Sequence, residues 1–93
     1  MVIPAEIEDP EVISTTGITI PAKVILYNDE IHSFDEVIFQ LIKAIGCTQD
    51  HAEALTWEVH SRGKAVVYDG EMRQCLKVSA VLEEIALHTH IEY

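Results

Sequence analysis

Basic residues are scarce in this chain of 93 residues. Six Lys and Arg stand against sixteen Asp and Glu, which gives a formal net charge of −10. Nucleic acids and anionic membrane surfaces would repel such a chain, so neither is an expected partner, and a cationic group fits better. Hydrophobic runs are also short, and none approaches the roughly 18 residues needed to cross a bilayer.

The motifs of nucleotide binding and of nucleophilic catalysis are missing as well. The chain has no Walker A loop, no G-x-G-x-x-G and no G-x-S-x-G elbow. Adjacent carboxylates such as Glu83-Glu84 are expected by chance in so acidic a chain. The sequence therefore predicts a protein without enzymatic activity and without a cofactor.

Cysteine is rare, and the N-terminus lacks a basic region followed by an apolar one. Cys47 and Cys75 lie in apolar helical patterns and not in a C-x-x-C pair, so we expect two buried free thiols. No secretory signal is visible. The expected location is the cytoplasm.

The chain divides into an acidic segment and a core. Residues 1–21 contain all three prolines and no basic residue, which predicts a flexible acidic N-terminal extension. Residues 22–93 form the predicted core domain, because hydrophobic residues, 48% of the chain, are enough for a small core.

Hydrophobic periodicity in the core predicts the order β-α-α-β-α-β. "AKVILY" is a strand, and "SFDE" at 33–36 is a capping box that starts a helix ending at Gly46. Thr48 caps a second helix, which Gly63 ends, and "KAVVY" is the next strand. Asp69-Gly70 is predicted to turn the chain into a third helix before the last strand, "HTHIEY". This order indicates an α+β fold with a three-stranded antiparallel sheet packed against three helices.

Two stretches carry candidate chemistry: Asn28-Asp29-Glu30, and "LTWEVHSRGKA" at 55–65, which contains His60. Asn28-Asp29-Glu30 leaves the first strand either as an ordinary turn or as a corner that binds a positive charge. Metal binding is a second possibility, because histidines suit it, but their spacing matches no known zinc motif. His88 and His90 could chelate one metal ion from the same face of a strand, and His32, His60 and Asp29 could form a second site.

"VILYNDE" at 24–30 and "EVHSRGKA" at 58–65 resemble ClpS, the small adaptor of ATP-dependent Clp proteases. That family shows V-x-L-x-N-D-[DE] and then E-V-H-x-x-G-[KR]-A, and both segments occur here in the right order. The resemblance covers residues 22–77.

The resemblance implies an adaptor that binds proteins with a bulky hydrophobic N-terminal residue, an N-degron. It further implies delivery of these proteins to a Clp AAA+ unfoldase of the ClpA or ClpC type, through the unfoldase N-domain. Carried over by motif position, Asn28, Asp29 and His60 would bind the α-amine and first peptide unit. The hydrophobic pocket would be lined by His32, Phe34, Val37, Thr56, Val59 and Leu87. The candidates for contact with the unfoldase are Glu71, Arg73 and Lys77.

The sequence departs from the family pattern in the pocket. Phe34 stands where the family has a methionine gatekeeper, Thr56 where a pocket methionine is common, and His32-Ser33 where Thr-Pro is frequent. Two alternatives therefore remain: a module that docks on the unfoldase without recognising N-degrons, and a small metal-binding protein that uses its histidines.

Overall fold

The computed structural model describes residues 19–93. Its elements follow the predicted order β-α-α-β-α-β, so the predicted fold class is confirmed. The predicted extension, residues 1–21, lies outside the described residues except for its last three. The strands and helices are β1 (Pro21–Tyr27), α1 (Phe34–Ile45), α2 (Gln49–Arg62), β2 (Lys64–Glu71), α3 (Met72–Glu83) and β3 (Thr89–Glu92).

The first strand is the centre of the sheet. The strand order is β2-β1-β3, and β1 pairs with both neighbours in antiparallel fashion. Helix α3 lies against all three strands, α2 packs on β2, and α1 packs on the other two helices. Pairing with β2 runs along β1 from Pro21 to Tyr27, and pairing with β3 runs from Lys23 to Leu26.

Local sequence explains where the first two helices begin. Ser33 Oγ accepts a hydrogen bond from the Glu36 N–H at 3.2 Å, and Glu36 Oε1 accepts one from the Ser33 N–H at 2.8 Å. This is the predicted capping box. Thr48 caps α2 in the same way, since its Oγ1 accepts from the His51 N–H at 3.1 Å.

Side chains from all three layers meet in one core. Its largest fully buried side chains are those of Val24, Leu26, Leu41, Cys75 and Leu82. Both cysteines are free; Cys75 is buried as predicted, but Cys47 is only half-buried because it follows Gly46 in the loop between α1 and α2.

The second strand is longer than predicted, and the predicted turn at Asp69-Gly70 is wrong. A β-bulge explains why: Ile25 pairs with Val66 but Val24 pairs with Tyr68, so β2 carries one extra residue, Val67. The strand then continues to Glu71. A side chain at Gly70 would approach the Tyr68 ring to 3.1 Å, so glycine serves close packing here and not a turn.

Gly63 ends α2 and fixes the end of β1. Its φ of +89° is left-handed, and its carbonyl accepts a hydrogen bond from the Asn28 N–H at 2.9 Å. Gly46 ends α1 with a similar φ of +66°. The first residue after β1 is therefore tied to the last turn of α2.

We expect Gly63→Ala and Gly46→Ala each to lower the free energy of unfolding by about 1–2 kcal/mol, the cost of left-handed backbone for alanine. A Cβ atom at either glycine has no neighbour within 4 Å, so the cost is one of backbone conformation alone. Denaturant unfolding measures it. Gly46→Ala is the matched control for the site, because only Gly63→Ala should shift the NMR amide signal of Asn28. Equal shifts in both variants would contradict this link.

Candidate functional site

A cavity of about 390 Å³ opens where β1 ends. This volume falls in the range of small-ligand sites, about 300–1,000 Å³. The structure brings together around it all the residues predicted to bind an amine or to form a pocket. Its lining is Leu26, Tyr27, Asn28, Asp29, Glu30, His32, Ser33, Phe34, Val37, Thr56, Val59, His60 and Leu87.

The inner wall is mainly apolar. Leu26, Val59 and Leu87 are buried, whereas Phe34 and Val37 on the first turn of α1 are half-buried. Thr56 is buried too, and its hydroxyl donates a hydrogen bond to the Ala52 carbonyl at 2.8 Å. Because that hydroxyl is satisfied within its own helix, Thr56 adds no unpaired donor to the wall.

An aromatic cluster borders the cavity on the α2 side. The Phe34 ring meets Trp57 edge to face at 4.8 Å and His60 at 5.2 Å, measured between ring centroids. Trp57 and His60 are one helical turn apart, with their rings 6.0 Å apart. These contacts orient His60, which is exposed to solvent. Trp57 was not among the predicted site residues, although its position three residues before His60 on one helix was the available signal.

Asp29 organises the loop between β1 and α1. Its Oδ1 accepts from the Ile31 and His32 backbone N–H groups, both at 2.9 Å, and its Oδ2 lies 2.7 Å from His32 Nδ1. Desolvation raises the pKa of Asp29, but the hydrogen bonds from His32 and Ile31 outweigh it, so the pKa lies below its usual value of 3.8. The turn-forming interpretation of Asn28-Asp29-Glu30 therefore fits Asp29, and the charge-binding interpretation stays a prediction.

His32 differs from the apolar lining residue that was predicted. Its side chain is 10% exposed, and both ring nitrogens are hydrogen-bonded, Nδ1 to Asp29 and Nε2 to the Ile85 carbonyl. The hydrogen bond to Asp29 raises the pKa of His32 above 6.5, and the bond to Ile85 adds to this effect. His32 therefore stands at the cavity as a hydrogen-bonded partner of Asp29 and of the Ile85 carbonyl.

The other candidate residues lie elsewhere. Glu71 is the last residue of β2, and Arg73 and Lys77 are on α3; the described cavity lining includes none of them.

His88 packs edge to face on Tyr27 at 5.0 Å. Within residues 19–93, no three His, Cys, Asp or Glu side chains are grouped so that they could hold a metal ion. None of the helices in the same range is long and apolar enough to cross a membrane.

Comparison with known proteins decides the family. Residues 19–90 match the family described as ATP-dependent Clp protease adaptor protein ClpS. The chain belongs to the ClpS family. A solved structure, that of Agrobacterium tumefaciens ClpS2 bound to L-phenylalaninamide, has the same fold with a TM-score of 0.70. At 23% identity, the match covers 77% of this chain and 94% of that one.

Curated relatives of this ClpS-family chain are much longer proteins. The E3 ubiquitin-protein ligase UBR2 of Homo sapiens is 35% identical over 57 residues, which is 61% of this chain and 3% of UBR2. UBR1 of Drosophila melanogaster is 36% identical over 59 residues, 63% of this chain and 3% of UBR1. The chain thus spans about 3% of the length of these relatives.

The lowered pKa of Asp29 predicts how Asp29→Asn changes stability with pH. A carboxylate whose pKa is lowered on folding stabilises the folded state above its ordinary pKa, and the effect is lost as the pH falls through the lowered value. Near pH 6, Asp29→Asn should lower the free energy of unfolding by about 1.5–3 kcal/mol, the worth of hydrogen bonds to a charged group.

Denaturant unfolding at pH values from 6 down to 2 measures this difference, which should shrink towards zero at the acid end. Glu30→Gln is the control, because Glu30 is the next residue and is exposed. A difference for Asp29→Asn that stays constant with pH would contradict the charged hydrogen bonds.

Proposed function

We propose that the cavity binds the first residue of polypeptides whose N-terminal side chain is bulky and hydrophobic. One observation carries the proposal: an apolar hollow and a rim of acceptors, Asn28, Asp29 and His60, belong to the same cavity. A ClpS-family relative of the same fold is bound to L-phenylalaninamide, which has a free α-amine beside an aromatic side chain.

The rim suits an α-ammonium group, which brings a positive charge and three donors. A carboxylate has about four acceptor positions, and Asp29 uses three of them for Ile31 and His32. One position on Oδ2 is left for the ligand. The Asn28 side-chain oxygen and an unprotonated His60 nitrogen supply further acceptors.

The hollow and the rim must act together. Burial of a leucine or phenylalanine side chain contributes about 1.5–3 kcal/mol. A hydrogen bond to a charged group contributes about the same, 1.5–3 kcal/mol. Micromolar affinity requires about 8.2 kcal/mol, so neither part alone is sufficient. Selection for a free N-terminus follows, because acetylation removes the positive charge and two of the three donors.

The proposal includes a cytoplasmic adaptor role without catalysis of its own. The adaptor would deliver bound proteins to the N-domain of a ClpA- or ClpC-type AAA+ unfoldase, with Glu71, Arg73 and Lys77 as contact residues. The position of Lys77 supports this part, since α3 buries Cys75, Val78 and Leu82 and leaves Lys77 exposed, whereas Glu71 and Arg73 are half-buried. None of the three lines the cavity.

A peptide panel tests the binding function. Labelled peptides that begin with Leu, Phe, Trp or Ala, each free and N-acetylated, are titrated with the protein by fluorescence anisotropy. Free peptides with bulky first residues should bind, whereas the Ala peptide and all acetylated forms should not. Binding of acetylated peptides would refute amine recognition, and absence of all peptide binding would refute the function. In that case, zinc affinity or unfoldase binding alone would support one of the two alternatives.

His60→Ala should weaken binding of the free Phe peptide by about 1–3 kcal/mol, because one hydrogen bond to the ammonium group is lost. His51→Ala is the matched control: His51 lies on the first turn of the same helix and is exposed. The same titration with the two variants measures the difference. Equal affinities would exclude His60 from the site.

Lys77→Glu tests the delivery surface separately. Reversal of an exposed charge should weaken binding to the unfoldase N-domain severalfold, mainly through the association rate, and leave peptide binding unchanged. Lys23→Glu, on the exposed side of β1, is the control. Surface plasmon resonance with immobilised N-domain gives both rates. Unaltered binding by Lys77→Glu would move the contact away from α3.

A further inference from the structure

His32 joins the two loops that flank the cavity. It belongs to the loop between β1 and α1, which also carries Asn28 and Asp29. Its Nδ1 lies 2.7 Å from Asp29 Oδ2 in this loop, and its Nε2 lies 2.5 Å from the Ile85 carbonyl in the loop between α3 and β3. Leu87, two residues after Ile85, lines the cavity. One side chain thus connects the polar rim to the apolar wall.

The two partners of His32 require a particular protonation state. An ionised carboxylate and a backbone carbonyl are both acceptors only, so both ring nitrogens must donate. Only the imidazolium ion carries a proton on each nitrogen. A His32 ring that donates a hydrogen bond from each nitrogen is therefore charged.

The charges around His32 favour this state. Asp29 faces it from the same loop, and Glu36 of α1 adds a second negative charge. From the loop after α3 it meets the Ile85 carbonyl, whereas the neighbouring Glu84 is paired with Lys43 at 2.8 Å. The raised pKa of His32 has Asp29 as its largest cause.

The loop between α3 and β3 has an unfavourable backbone conformation. Ala86 has a φ of +65°, a left-handed conformation that is unfavourable for a residue with a Cβ atom. The backbone bond from Leu87 N–H to the Leu82 carbonyl is long, at 3.3 Å. The bond from His32 therefore holds a loop whose own backbone is strained.

We infer that His32 is a positioning residue whose imidazolium keeps Asp29 and Leu87 in place for the ligand, so that affinity depends on its proton. The inference rests on the proposed function, but the bridge itself can be measured without a ligand. The bridge is complete below the ordinary histidine pKa and is lost as the pH rises through the raised pKa of His32. Above that value, one of the two nitrogens no longer donates.

The test compares wild type with His32→Gln from pH 5.5 to 9.5. The ligand amine and His60 are the same in both titrations, so the ratio of the two dissociation constants isolates His32. We expect His32→Gln to bind the free Phe peptide on the order of tenfold more weakly at pH 5.5, by loss of the charged bridge. The ratio should fall towards one above the titration midpoint of the His32 ring. NMR of the ring nitrogens gives this midpoint and should show both nitrogens protonated below it.

Two further variants make the test specific. His51→Gln, an exposed histidine on α2, should give a ratio of one at every pH. His32→Arg keeps a permanent charge and several donors, so its affinity relative to wild type should rise with pH. This variant also decides the matter if His32→Gln does not fold.

Three results would overturn the inference: a neutral His32 ring at pH 5.5, a His32→Gln ratio of one at that pH, or a ratio independent of pH. If wild type binds no peptide at all, the proposed function fails, and amide hydrogen exchange then decides the inference. Exchange at Leu87 should be faster in His32→Gln than in wild type at low pH, with the difference lost above the ring midpoint. Equal exchange rates would overturn the bridge.

Discussion

The fold and its candidate site both depend on the pairing of β1 along its two edges. This strand contributes Val24 and Leu26 to the centre of the core and is hydrogen-bonded to β2 on one side and β3 on the other. Pairing on both sides fixes the position of the last residues of β1, and with them the start of the loop that follows. The loop with Asn28 and Asp29 is therefore positioned by the sheet, and the bond from Asn28 to Gly63 ties it to α2.

Much of the fold was predictable because the decisive signals are local. The Ser33–Glu36 capping box, Thr48 and the two C-terminal glycines mark helix ends through contacts within a few residues. Asn28, Asp29, Val59 and His60 were found through two motifs, one at the end of β1 and one on α2, and the other predicted lining residues through the resemblance to ClpS. The motifs meet in space because β1 and β2 pair in antiparallel fashion; the predicted sheet allowed this pairing but did not specify the strand order.

The features that could not be predicted depend on contacts between residues that are far apart in the sequence. The pair Asp69-Gly70 is typical of a turn, but the bulge at Val67 and the Tyr68 ring keep Gly70 in the strand. The carbonyl of Ile85, the second partner of His32, is backbone and lies 53 positions further along the chain, so no residue pattern reveals it. His32 was consequently grouped with the apolar lining, although it is hydrogen-bonded to Asp29 and to the Ile85 carbonyl.

The bulge in β2 has a consequence for association between copies of the chain. With the order β2-β1-β3, an eight-residue strand lies at one edge of the sheet. A long regular edge is a template on which another strand can add, which leads to aggregation. The extra residue at Val67 interrupts the regular spacing of backbone donors and acceptors along that edge. The irregularity that packs Tyr68 inward thus also protects an acidic domain from edge-to-edge self-assembly.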